Sequence, residues 1–163
     1  MLMEQAGTQA VQEKEYTFTT PLEHGLSYKH VDIRSPNAKS LVSQCWDFIE
    51  AGVEQGGSKE FLTTDYLIKK VLERDSDLWV SQDEGDNIVG ALIIGAAPYP
   101  TETGIMAESI GGTFNFNTLV PMLEKFYRAR GYKFFEMTGR KGWERKMKPL
   151  GYTYMNTTIY KRL

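Results

Sequence analysis

Apolar residues recur along this chain with two periods, and the switch between them divides the sequence into elements. In "SPNAKSLVSQCWDFIEAGVEQGG", residues 35–57, Ala38, Leu41, Val42, Cys45, Trp46, Ile49 and Val53 fall at helical spacing. Ser35 suits the cap, Pro36 the first turn, and Gly56 with Gly57 the stop, so the spacing predicts a helix with Cys45 and Trp46 in its buried face. A second helix follows in "TTDYLIKKVLERD", residues 63–75, capped by Thr63 or Thr64, with Leu67, Ile68, Val71 and Leu72 facing inward. The period then shortens. "DLWVSQ" and "NIVGALIIGAA", joined by the acidic turn "DEGD", read as a hairpin. The second of these strands is nearly all apolar, which predicts burial on both faces. "GIMAESIGG" (104–112) is a further strand running into glycines. "TLVPMLEKFYRARG" is a helix with Leu119, Val120, Leu123, Phe126 and Tyr127 inward. With "LSYKHVDI" (26–33) as a first strand, "YKFFEMT" as a later one, "RKGWERKMKPLG" as a short basic helix and "YTYMNTTIYKRL" (152–163) as a closing strand, the order is β-α-α-β-β-β-α-β-α-β.

This order predicts one three-layer α/β domain over residues 26–163, with a mixed, mainly antiparallel sheet of about six strands. Residues 1–25 are polar, show no sustained stripe of either period and end in "PLEHG". They read as an arm outside the core, suited to contacts with another copy of the chain or with assembly partners.

Composition narrows the class. The 163 residues are 41% hydrophobic and 25% charged, as in an ordinary soluble domain. No apolar run reaches the roughly 20 residues that cross a bilayer, and the start lacks the basic-then-apolar layout of a secretory signal. The expected location is the cytoplasm, with no membrane partner. The single cysteine excludes an internal disulfide and a Cys-rich zinc site, and His24 and His30 are too isolated for a metal site.

Charge is uneven. From residue 125 to the end there are 11 Lys and Arg against 2 Asp and Glu, a balance of +9, whereas the first 124 residues carry −11. The basic quarter includes "TGRKGWERKMKPLGY", where Arg140, Lys141, Arg145, Lys146 and Lys148 surround Trp143. Three readings stay open on the residues alone: a bound phosphate, a nucleic acid, or a solvated face. A nucleic-acid surface needs aromatic or groove-reading partners, and none is located in the sequence. Asn156-Thr157-Thr158 matches a glycosylation sequon but falls in a segment with strand character.

The element order, together with "GIMAESIGG", the helix after it and "YKFFEMTGRKGWERKMKPLGY", resembles the GNAT superfamily of acetyl-coenzyme A-dependent N-acetyltransferases. The ending, Gly-Arg-x-Gly-Trp and then Gly-Tyr, is similar to that of small GNAT-like proteins encoded in bacteriophage genomes, often among virion genes. The resemblance implies acetyl-CoA as cofactor, bound where the 104–112 strand runs into the next helix. There Ile110, Gly111, Gly112, Thr113 and Asn115 would cradle the pyrophosphate, a role suited to free N–H groups and glycine backbone. Arg140 would pair with a phosphate. Glu108, which alternates with Ala107 and Ser109, would be the general base for an amine acceptor that the sequence does not identify. Met147 stands where the family places a tyrosine that protonates the leaving thiolate; a thioether has no such proton. Tyr152 or Tyr127 would have to substitute. The resemblance therefore implies a coenzyme A-binding protein, a weak or inactive N-acetyltransferase, with a non-catalytic virion or assembly protein on the same fold as the alternative.

Overall fold

The computed structural model describes residues 15–56, 61–97, 99–139, 142–155 and 158–163. Its elements are β1 (Tyr16–Thr19), β2 (Ser27–Val31), α1 (Ala38–Gln44), α2 (Trp46–Gln55), α3 (Thr64–Leu72), β3 (Ser76–Gln82), β4 (Ile88–Ala97), β5 (Gly104–Gly112), α4 (Phe116–Arg128), β6 (Phe134–Met137) and α5 (Gly142–Met147). The strands form one six-stranded sheet in the order β1-β2-β3-β4-β5-β6. Every neighbouring pair is antiparallel except β5 and β6, whose parallel pairing needs the crossover that α4 supplies.

The period-2 alternation of the central strands sends side chains into two separate cores. Leu78, Val80, Ala91 and Ile93 meet Leu41, Val42, Cys45, Ile49, Val53, Leu67 and Val71 from α1 to α3 on one face. Trp79, Leu92, Ile94 and Ile105 meet Leu119, Leu123, Phe126 and Tyr127 of α4 on the other. This arrangement explains the unbroken apolar run of β4, which has no solvent face to keep polar. Cys45 is fully enclosed, and burial pushes its thiol up to about 12, so it is a packing residue.

Four expectations change. The helix expected over 35–57 divides at Cys45, which ends α1 and precedes α2; its N–H is shared between the carbonyls of Leu41 and Val42. The division turns α2 so that Phe48, Ile49 and Gly52 bear on the sheet. Leu72, expected inward, closes α3 and is 39% exposed. Two ends of the sheet also differ. Tyr16–Thr19, within residues placed outside the core as an arm, is the edge strand β1. Four residues are too few for alternation to register, yet Tyr16 packs on one core while the Phe18 ring meets Trp79 and Phe126 on the other. Residues 1–14 of that arm lie outside the described residues. The closing strand expected over 152–163 has no counterpart among its described residues. The Tyr152 hydroxyl donates to Glu124 on α4 at 2.9 Å and its ring meets Phe135, while Tyr160 and Arg162 pack on Phe61 instead. These contacts lead the segment away from strand pairing.

A polar network ties the N-terminal strands to α4. His30 Nε2 lies 3.3 Å from Asp77 Oδ1, the Tyr127 hydroxyl donates to Asp77 Oδ2 at 2.6 Å, and Trp79 Nε1 donates to Tyr127 at 3.0 Å. Burial acts to raise the Asp77 carboxyl, but the contacts from His30 and Tyr127 and the charges of His30 and Arg130 outweigh it and hold it below its ordinary value. A lowered carboxyl gives stability that is present above the unfolded-state value of about 4 and is lost as pH falls through the lowered one. Asp77→Asn should therefore flatten the acid limb of a stability-against-pH curve. An unaltered slope below pH ~4 would show that Asp77 carries none of it.

Candidate functional site

The site begins where the sheet comes apart. Parallel pairing runs from Gly104↔Phe134 to Ala107↔Met137 and stops, while β5 continues to Gly112. On the side facing β6, the main chain of residues 108–112 thus has no strand partner among the described residues. β6 gives way to α5, and the wedge between them is filled by Ile110, Phe116, Phe135, Met137 and Trp143, which leave a cavity of only about 10 Å³. Phe116 and Trp143 meet edge to face at 5.2 Å, and Lys146 Nζ stands 4.2 Å from the Phe116 ring centre. Trp143 is therefore a wall of this slot.

A bulge in β5 shapes the other side. Ile93 pairs with Ser109 and Ile94 with Ala107, so Glu108 is an extra residue without an opposite number. Strict alternation predicts that Glu108 and Ser109 face opposite ways; the bulge turns both toward α1–α3. Ser109 Oγ donates to Ile49 O at 3.0 Å. The Glu108 carboxylate is bonded by Lys70 Nζ of α3 and Ser76 Oγ of β3, in space left open because residue 95 is glycine. Only 8% of the Glu108 side chain is exposed, against 23% for Lys70, whose ammonium also lies 5.9 Å from the Tyr66 ring centre. Glu108 is thus a buried, ion-paired carboxylate, placed one residue beyond the last β5–β6 pair.

The expected anion cradle is arranged differently from the sequence reading. A Cβ on Gly111 would stand 1.9 Å from Phe48 O, and one on Gly112, whose φ is +87°, would stand 2.3 Å from Val89 O. These glycines let α2 and β4 approach the backbone, and that space holds protein. The amide of Thr113 donates to Val89 O at 2.8 Å, that of Asn115 to the Tyr28 hydroxyl at 3.1 Å, and that of Asn117 to Asn115 Oδ1 at 3.1 Å. Thr118 and Leu119 amides both use Asn115 O. At the start of α4 the amides of Thr113 and Asn115 are thus used internally, while Gly111 and Gly112 end the β5 edge that β6 does not cover. Ile110 does reach the slot. Arg140 lies outside the described residues.

The hydroxyls that would replace the missing tyrosine are committed as well. Burial first, then the Asp77 charge and hydrogen bond, pushes Tyr127 far up; burial and Glu124 do the same to Tyr152. Met147, the last residue of α5, is 3% exposed. Lys70 and Ser76 escaped the sequence reading. The one signal was the place of Lys70 three residues after Leu67, on the rim of the apolar face of α3, and nothing local announces the bulge that brings Glu108 to it.

No protein-family model and no curated protein sequence matches this chain. Solved structures do. An aminoglycoside acetyltransferase from an uncultured soil metagenomic sample superposes with TM-score 0.59 at 15% identity, over 88% of this chain and 99% of that one. A ribosomal-protein-alanine N-acetyltransferase from Brucella melitensis gives TM-score 0.59 at 12% identity, over 86% and 99%. A protein of Clostridium acetobutylicum described as a predicted acetyltransferase, solved with acetyl-CoA, gives 0.56 at 15%, over 84% and 96%. At such identities the likeness is one of fold: the chain has the GNAT fold, with its mixed, mainly antiparallel sheet between two helical layers.

Proposed function

We propose that the protein binds an acyl-coenzyme A in the slot between β5 and β6 and transfers the acyl group, slowly, to an amine. The observation that carries this reading is the parting of β5 from β6 after Ala107 and Met137, beside an apolar wedge. An unpaired strand edge inside a sheet offers main-chain groups to a ligand that itself carries amides, as the pantetheine arm does. Ile110, Phe116 and Trp143, which leave only about 10 Å³ between them, would have to part to admit that arm and would then flank it, and Arg145 and Lys146 on α5 would meet the phosphates. When bound, the group supplies an activated thioester.

Among the chain's own residues, Glu108 takes the proton of the acceptor amine. Among the described residues no acid stands ready for the leaving thiolate, because Met147 has no proton to give and Tyr127 and Tyr152 are held elsewhere. Loss of that acid costs on the order of 10²–10⁴ in rate, which is why the transfer is slow. The resemblance of the ending to that of small bacteriophage proteins is what suggests a phage origin and action in the host cytoplasm. Acetyl-CoA at 100 times its dissociation constant should stabilise the fold by about 2.7 kcal/mol. A melting temperature unmoved at millimolar acetyl-CoA would remove the basis for the proposal.

A non-catalytic assembly or virion protein is the second reading, favoured by one observation: both oxygens of Glu108 are already bonded, by Lys70 and Ser76. Under it, acetyl-CoA leaves the melting temperature unchanged and removing residues 1–14 abolishes oligomerisation or incorporation.

A further inference from the structure

We infer that Lys70 is itself an acyl acceptor of this site, so that the protein acetylates its own α3. This rests on the reading that the β5–β6 slot takes an acyl-coenzyme A. An acceptor for that chemistry must be a primary amine seated on the base and close to the acyl carbon. The Lys70 ammonium is bonded to Glu108, the one carboxylate placed at the bulge. Glu108 follows Ala107, the last residue of β5 that pairs with β6 and itself part of the slot wall. The Lys70 side chain is part-buried but not sealed, with 23% of its surface open, and its long unbranched stem allows the amine to shift toward the strand edge. Lys70 thus sits on the carboxylate that an external amine would need, and its charge keeps another ammonium away from Glu108.

The step balances without any further reactant. Glu108 removes one proton from the Lys70 ammonium, and the neutral amine attacks the thioester carbonyl. The new N–C bond forms as the C–S bond breaks. Of the two protons lost by nitrogen, one ends on the coenzyme thiol and the other in water, and Glu108 is again a carboxylate. Acetyl-lysine carries no charge, so Glu108 is then free to receive the ammonium of a second amine. Self-modification would act as a priming event, visible as a lag before transfer to an external acceptor.

Lys69 provides the internal control. It is the adjacent residue, its side chain is 69% exposed, and it also pairs with a carboxylate, Glu73 at 3.8 Å. Spontaneous acetylation would favour Lys69, because it is the more accessible amine. The purified full chain is incubated with acetyl-CoA, digested and read by peptide mass spectrometry, with melting temperature recorded on the same samples. Lys70 should be labelled at least about tenfold faster than Lys69, and Glu108→Gln should slow the Lys70 label by on the order of 10²-fold. In protein unfolded by urea the preference should vanish. The wild-type ratio needs no variant, so the test survives if Glu108→Gln folds poorly. Stabilisation by acetyl-CoA without Lys70 label overturns the self-acceptor role alone, leaving Lys70 as an ion-pair partner. Equal or faster labelling of Lys69 overturns it too. Neither stabilisation nor label overturns both this inference and the function on which it rests.

Discussion

Gly111→Ala is expected to cost about 3–5 kcal/mol, enough to leave much of the protein unfolded at ordinary temperature. A methyl at this position would sit 1.9 Å from the Phe48 carbonyl oxygen and 2.9 Å from its carbon, both main-chain atoms of α2. A flexible side chain could swing away from such an overlap, but a helix backbone can yield only by lifting off the sheet. That movement would open the contacts that Ile49 and Val53 make in the first core and break the Ser109–Ile49 hydrogen bond. Gly142 makes the matched comparison, because a Cβ there meets nothing within 4 Å and the residue opens a helix. Gly142→Ala should be neutral or stabilising by up to about 1 kcal/mol. Thermal or urea unfolding of the two variants decides the matter. A Gly111→Ala protein within about 1 kcal/mol of wild type would mean that α2 does not lie this close to β5.

The second large effect concerns the buried pair. Lys70→Met keeps an unbranched side chain but removes the ammonium, leaving the Glu108 carboxylate, 8% exposed, bonded to Ser76. Breaking a buried pair by removing one member typically costs about 3–5 kcal/mol, since the other charge stays behind uncompensated. Adding Glu108→Gln to Lys70→Met should recover a good part of that loss, because the amide carries no charge into the interior. The double-mutant cycle should therefore give a coupling of roughly 1–3 kcal/mol. Additive losses would show that the two groups do not interact in solution. The low exposure of Glu108 is what distinguishes this pair from Lys69–Glu73, where both partners are open to water and the pairing is worth at most a few tenths of a kcal/mol.

Much of this architecture is legible in the sequence because it is written in local periodicity. The face of α4, the two-sided burial of β4 and most of the inward side of α1 and α2 follow from spacing alone; Trp46, expected in that buried face, is half-buried and outside both cores. The strand ending in two glycines was also visible. Their purpose was not, because close approach to Phe48 and Val89 depends on residues distant in sequence. The site was less legible for a similar reason. Glu108 could be placed on its strand, but its facing depends on one bulge, and its partners come from α3 and β3. Likewise the amides at the start of α4 looked free to bind an anion. The hydroxyl of Tyr28, 87 residues away, is one of the groups that claims them. The short β1 carried too few residues to show a period, and the closing segment had the alternation of a strand without the neighbour to make it one.

The outermost strands of the sheet, β1 and β6, have four residues each, and β1 carries a register shift between Tyr16 and Phe18. A long flat edge is a template on which another chain can extend a ladder and begin to aggregate. Brief and irregular margins give such a template little length, while β3 and β4 lie inside the sheet and β5 is open on the β6 side over residues 108–112 alone. The chain can therefore contain β4, one of the most apolar segments of its sequence, without presenting it for uncontrolled self-association.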